Sequence, residues 1–332
     1  MGNCMCKSIT SGIIGMGKAL PEKILTNYDL EKLVDTNDEW ITTRTGIKER
    51  RIVGDSAATS DLATKAAMNA LANAGVSAEE IDLIIVATIT PDYKLPSAAS
   101  IVQSNIGAKK AATFDLNAGC SGWVYSIATA NAFIQSGFYE KILVIGAEAL
   151  STITNWTDRT TCILFGDGAG ASVVSKVDEG GFFGFDLGTD GQVEPLYAPG
   201  SGSKKLTAEP VPGCNNKIFM VGKDVFKFAV KVQSKSILKL TEKFGMDINE
   251  IDLFVPHQAN YRIIESACER LNISQDKFMI NLDKYGNTSA ASIPLALCEA
   301  VEQNRVKKGD TVCVCGFGAG LTWASGIMKW VY

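Results

Sequence analysis

The sequence predicts a duplicated α/β body, two similar halves stacked in five layers as α/β/α/β/α. Three observations predict it. The tetrapeptide EIDL occurs at 80–83 and again at 250–253, 170 residues on. Gly146 in EKILVIGAE (140–148) matches Gly316 in GDTVCVCGFG (309–318) at the same spacing. Between these pairs lie AGCSGWVYSIATANAFIQSG (118–137) and YGNTSAASIPLALCEAVEQN (285–304), each a small-residue turn opening a helix. Three similar segments in one order signal a repeated unit rather than chance. The halves, 1–178 and 179–332, meet near VDEGGFFG (177–184).

Taken in order, the elements support that layering. SDLATKAAMNALANAG (60–75) opens with Ser and Asp, carries apolar residues at helical spacing and stops at Gly75, which reads as a capped helix. IDLIIVATI (81–89) is a short continuous apolar run, the pattern of a strand buried on both faces. ATFDLN (112–117) reads as an extended segment feeding the 118–137 turn and helix. FGDGAGASVV (165–174) lacks the G-x-G-x-x-G spacing of a phosphate loop and leads into strand-like residues, so tight turns are expected there and in GFGAGLT (316–322). VFKFAVKVQSKSILKLTEKFG (225–245) and IDLFVP (251–256) repeat the helix-then-strand pairing. Strands buried on both faces need helices on both sides.

Composition bounds the function. The chain has 332 residues, a net charge of −4 and an ordinary 46% of apolar residues, so nothing recommends a nucleic-acid partner. Nine cysteines at irregular spacings, without a C-x-x-C pair, indicate a reducing cytoplasm rather than a disulfide framework. With one histidine, no metal site is expected. The start, MGNCMCKSITSGIIGMG, is too glycine-rich for a signal peptide, and Cys6 stands where a myristoylation signal wants Ser or Thr. No apolar run approaches a membrane span.

In a duplicated body, equivalent strand ends and helix starts converge on one centre. The only histidine, His257, follows the strand equivalent to 81–87; Cys120 and Asn287 open equivalent helices. A thiol at a helix start feels the positive end of the macrodipole, which favours thiolate, and Gly119 and Gly122 leave room for a substrate. Otherwise Cys120 is an inert buried cysteine. Asn287 is either a helix cap or an amide donor to an oxyanion. His257 protonated at Nε2 would donate beside it, and two neutral donors suit holding an enolate better than removing a proton.

VDTNDEWITTRTGIKERR (34–51), NAGCSGW (117–123), FGDGAGA (165–171), VPHQANYRII (255–264), GNTSAAS (286–292) and GFGAGLTW (316–323) together resemble the β-ketoacyl-acyl-carrier-protein synthase III family, of the thiolase superfamily. The likeness runs through nearly the whole chain. It implies a duplicated thiolase-like fold, a cytoplasmic homodimer, and a catalytic triad of Cys120, His257 and Asn287, with backbone N–H groups of Cys120 and Ala319 as oxyanion hole. The family's usual glycine is alanine at 319, which leaves the N–H in place. The implied substrates are a short acyl-CoA and malonyl-acyl carrier protein, with no cofactor. Thr36, Trp40, Arg44, Arg159, Phe226 and Asn260 would bind CoA, Lys227, Arg262 and Arg270 would meet the carrier protein, and Leu95 in DYKLPSAAS (92–100) would reach the partner's acyl pocket.

Rival readings leave particular residues unexplained. Type III polyketide synthases carry a proline in the position of Ala319. Thiolases pair two cysteines, against Asn287. Hydroxymethylglutaryl-CoA synthases need a glutamate base that no motif here places. A specialised acyltransferase of secondary metabolism stays open. A non-catalytic partner subunit would be expected to have lost the nucleophile, which is present.

Overall fold

The structure is a computed structural model and describes residues 10–54, 57–199, 202–203 and 216–332; the MGNCMC start lies outside the described residues. Counting only the strands of the two main sheets, the first sheet comprises β1 (Thr10–Ala19), β2 (Leu83–Ala87), β3 (Ala112–Leu116), β4 (Lys141–Glu148) and β5 (Gly168–Val177), in the order β1-β5-β4-β2-β3. The second comprises β6 (Gly181–Thr189), β7 (Leu253–Pro256), β8 (Thr311–Gly318) and β9 (Thr322–Lys329), in the order β6-β9-β8-β7. These orders are the same path walked twice. The fifth place in the second sheet is reduced to one bridge between Phe254 and Phe278, whose rings stack at 4.8 Å.

The repeat is exact to the hydrogen bond at EIDL. Asp82 N donates to Lys141 O, and the Asp82 carboxylate accepts from Lys141 N. Asp252 does the same with Thr311, 170 residues on from Lys141. A buried parallel strand pair needs its first N–H groups satisfied, and each half satisfies them with the same aspartate.

Helices α1 (Thr59–Ala74) and α2 (Ala98–Ile106) cover the outer face of the first sheet. Helices α4 (Gly222–Phe244) and α5 (Tyr261–Leu271) cover that of the second, while α3 (Gly122–Gln135) and α6 (Ser292–Glu302) lie between the sheets and touch both. Five layers result, as expected. The α1 start differs in detail: Ala58 is the N-cap and its N–H is held by Asp61, while Ser60 turns to Asp92. Gly75 and Gly245 end α1 and α4 with φ of +64° and +59°, a left-handed position that favours glycine.

The halves do not close separately. Leu30, Ile41, Ile47 and 162–165 pack into one apolar cluster with Ile237, Phe254 and Ile264 of the second half. Fully buried Arg50 fastens that crossing by donating to Leu25 O, Asn27 Oδ1 and Ile163 O. The FGDGAG segment also differs from expectation: Phe165 bridges to Asn287, and Gly168 and Gly170 lie in β5 rather than in tight turns. A Cβ on Gly166 would meet Tyr285 O at 2.3 Å, and one on Gly170 would meet Pro294 Cβ at 2.7 Å. They are small because the Asn287 segment and α6 press against that strand.

Candidate active site

Cys120 sits on a single turn, Gly119–Ser121, that leads from β3 into α3. Gly119 has φ of +55°, and a Cβ there would lie 3.0 Å from Ala319 N. A Cβ on Gly318 would lie 2.5 Å from Cys120 N. The nucleophile turn and the end of β8 therefore touch backbone to backbone, which brings together the two residues expected to offer oxyanion N–H groups.

His257 follows β7, its N–H donating to Cys315 O at 2.8 Å. Gln258 donates to Pro256 O and Met279 O and accepts from Asn281 N, fixing the loop that carries the imidazole. The ring meets Phe317 edge-on at 5.2 Å between centroids, and its Nδ1 is buried without a partner. Burial pushes its pKa down to about 3, so it is neutral near pH 7.

Asn287 is not a helix cap. It bridges to the 164–166 segment, with Asn287 N donating to Leu164 O and Gly166 N to Asn287 O. Its Oδ1 accepts from Ser289 N at 2.9 Å. With the oxygen so held, the Nδ2 donor is the end left for a ligand.

All three side chains line one cavity of about 200 Å³ with Arg44, Phe226, Asn260 and Phe317. The wall is otherwise mainly apolar, from Ile163, Leu196, Met220, Val225 and Ile263 among others. Burial is the largest influence on Cys120 and, against a downward pull from the Ser289 hydroxyl, raises the thiol to about 12, with the Glu148 carboxylate adding to the rise. Burial thus works against the thiolate that the helix start favours. A helix end contributes ~0.3–1 kcal/mol, too little against removal of the charge from water.

The other expected residues divide. Trp40 lies on a short helix (Asp38–Thr45) capped by Asn37, with the Arg159 guanidinium 4.9 Å and that of Arg44 5.9 Å from its ring centre. Thr36 stands just ahead with a buried, unpartnered hydroxyl. Asn260 reaches the cavity, but its side chain already caps α5 at Arg262 N and donates to Arg44 O. Lys227, Arg262 and Arg270 are exposed. Leu95 is 86% exposed and lines a different surface hollow from the one holding Cys120.

Two features went unread in the sequence. Lys227 is one rung of a ladder, Lys223, Lys227, Lys231, Lys235, Lys239 and Lys243, every fourth residue along α4 and all exposed; the four-residue period was available. Glu148 ends buried β4 with no exposure at all and accepts a hydrogen bond from Ser289; a carboxylate closing an apolar run was its signal.

A duplicated body of this topology, with cysteine, histidine and asparagine meeting where its halves touch, defines a condensing enzyme of the thiolase-like class. Family models for 3-oxoacyl-[acyl-carrier-protein] synthase III match residues 114–191, and for its C-terminal part residues 241–330. The chain is 56% identical to the β-ketoacyl-[acyl-carrier-protein] synthase III of Caldanaerobacter subterraneus subsp. tengcongensis, over 98% of this chain and 99% of the relative. It is 51% identical to that of Clostridioides difficile strain 630, over 96% and 98%. The crystal structure of the Aquifex aeolicus 3-oxoacyl-[acyl-carrier-protein] synthase III superposes with a TM-score of 0.90 at 45% identity, covering 96% of this chain and 100% of that one. A priming β-ketosynthase from the R1128 polyketide pathway reaches the same TM-score at 31% identity, covering 100% and 99%. The chain belongs to the β-ketoacyl-acyl-carrier-protein synthase III family.

Proposed function

We propose that this acyltransferase starts type II fatty acid synthesis by condensing a short acyl-CoA with malonyl-acyl carrier protein. The observation that carries the reading is the meeting of Cys120, His257 and Asn287 in one cavity that extends to Arg44 and Phe226. Cys120 takes the acyl group from CoA as a thioester, its oxyanion met by the N–H groups of Cys120 and Ala319. Malonyl-acyl carrier protein then loses CO2, and the enolate oxygen is held by His257 and by Nδ2 of Asn287. The enolate carbon attacks the acyl-cysteine and releases 3-oxoacyl-acyl carrier protein. Two easier steps replace one hard one, and decarboxylation supplies the carbanion, so no resident cofactor is called for.

In this reading CoA enters past Thr36, Phe226 and Asn260, with its adenine end at Trp40, Arg44 and Arg159. The exposed lysine ladder of α4, with Arg262 and Arg270, gives an acidic carrier protein a basic face. The exposed Leu95 segment fits the interface of a homodimer, where it would shape the partner's acyl pocket. Among the described residues no helix is long and apolar enough to cross a membrane, which accords with a cytoplasmic enzyme.

Intact-mass spectrometry after mixing the protein with a panel of short and branched acyl-CoAs tests the reading. An acyl adduct absent from Cys120→Ala supports it and names the starter. No adduct from any of them would overturn it.

A further inference from the structure

Glu148 plays no part in the mechanism above, yet it ties the first half to the turn that carries Asn287. It closes β4, the central strand of the first sheet, and is fully buried. Its carboxylate accepts from Thr90 Oγ1 at 2.7 Å, Ser289 Oγ at 3.0 Å, Ile89 N at 3.1 Å and Thr88 Oγ1 at 3.2 Å. None of these partners carries a positive charge. A buried carboxylate without a cation costs stability, so an apolar residue would serve better if the position only filled space. Nor does the strand end itself call for a carboxylate: the counterpart in the second half, 170 residues on at the end of β8, is Gly318.

Ser289 departs from its own counterpart in the same way. Both turns open on a left-handed residue, Gly119 at φ +55° and Ser289 at φ +47°. Glycine takes that conformation freely, whereas a side chain makes it cost free energy unless the surroundings hold it. Ser289 is buried, and the hydroxyl that donates to Glu148 Oε1 holds it. Where β8 meets the nucleophile turn, two glycines let backbone touch backbone; where β4 meets the Asn287 turn, a carboxylate and a hydroxyl span the gap. The exchange of two glycines for a hydrogen-bonded pair, at positions related by the repeat, points to a task that the nucleophile turn does not share.

That task is the Asn287 amide. Ser289 N donates to Asn287 Oδ1 at 2.9 Å. An amide has one acceptor end and one donor end, and turning it over would set two donors face to face. The Ser289 N–H therefore leaves Nδ2 for the cavity that Asn287 lines. The direction of that N–H follows from the left-handed backbone of Ser289, which the bond to Glu148 holds. The Asn287 backbone is fastened separately, to Leu164 O and Gly166 N, so the bond governs the amide rather than the chain.

We propose that Glu148, through its hydrogen bond to Ser289, positions the Asn287 amide so that Nδ2 meets the enolate oxygen during condensation. Glu148 is a positioning residue and touches no substrate; the inference rests on the reading that Asn287 holds the enolate.

Single-turnover condensation tests it. Protein acylated at Cys120 is mixed with malonyl-acyl carrier protein over a range of concentrations, and 3-oxoacyl-acyl carrier protein is followed. Ser289→Ala should lower the saturating rate at least about tenfold, with the half-saturating concentration and the rate of Cys120 acylation within about twofold of wild type. In an Asn287→Ala background the same substitution should cost less than about twofold, because the residue it acts through is gone. The same loss in both backgrounds, a change in the half-saturating concentration alone, or no loss would overturn the proposal. Glu148→Leu should follow the Ser289→Ala pattern, and Glu148→Gln, whose carbonyl can still accept from Ser289, should recover most of the loss. Equal losses in those two would make the charge responsible rather than the bond, and would also overturn it. Should Glu148→Leu fail to fold, Ser289→Ala decides, because it removes the same bond and keeps the carboxylate. A crystal structure of Ser289→Ala reads the amide without substrate: Asn287 Oδ1 should lose its contact with the N–H at position 289, and an unmoved side chain would overturn the inference. An acyl adduct missing from the wild-type protein would instead sink the synthase reading, and that crystal structure would still decide the positioning.

Discussion

The turns at 119–121 and 289–291 are one backbone used twice. Each follows an asparagine whose Oδ1 accepts from the N–H two residues on, Asn117 from Gly119 at 3.3 Å and Asn287 from Ser289 at 2.9 Å. Each starts on a residue with positive φ and runs into a middle-layer helix, at Gly122 or Ser292. The chemistry sits at different positions. In the first turn the middle residue is the thiol and the asparagine is an exposed support; in the second the middle residue is Ala290 and the asparagine faces the cavity. Duplication supplied two matched frames, and the site arose from filling them differently.

The two turns differ most at the thiol. Cys120→Ala should abolish the acyl adduct and cut turnover by at least about 10³-fold. Adding Ala290→Cys in that background should restore no adduct by intact mass, because Ala290 packs near Gly146 and Gly122 rather than in the cavity. The asparagines come next. Asn287→Ala should slow condensation about 10²-fold while acylation of Cys120 persists, as loss of an oxyanion donor does. Asn117→Ala, its exposed counterpart, should leave single-turnover condensation within about twofold. Gly318→Ala would push a methyl group to 2.5 Å from Cys120 N; urea unfolding should show a loss of about 1–3 kcal/mol.

An effect confined to acid pH concerns His257. Its pKa falls from 6.5 unfolded to about 3 folded, so the unfolded chain binds the extra proton between those values. That contribution to stability is complete above pH 6.5 and is lost as pH falls toward 3. Urea midpoints between pH 4 and pH 7 should therefore fall more steeply for wild type than for His257→Gln, by up to about 1.4 kcal/mol per pH unit.

The repeat, both sheets and the three cavity residues were legible because they are written locally: EIDL, the apolar runs and the small-residue turns each carry their own pattern. The thiol's protonation was not, because a helix start is visible in NAGCSGW whereas enclosure by Leu196, Met220 and Phe317 is a tertiary fact. The FGDGAG glycines misled for a similar reason. Gly166 and Gly170 are small on account of Tyr285 and Pro294, more than a hundred residues away. Glu148 was hidden in plain view as the last residue of a strand, its meaning set by Ser289 from the other half.

The crossing of 25–47 and 162–165 onto the second core has a consequence for ancestry. Two halves that share one topology are interlocked: a chain ended at 178 would expose Leu30, Ile41, Ile47 and Phe165, and one begun at 179 would expose Ile237, Phe254 and Ile264. Either piece alone would leave its share of that cluster uncovered. The symmetry survives as a record in the chain, and the fold has made it irreversible.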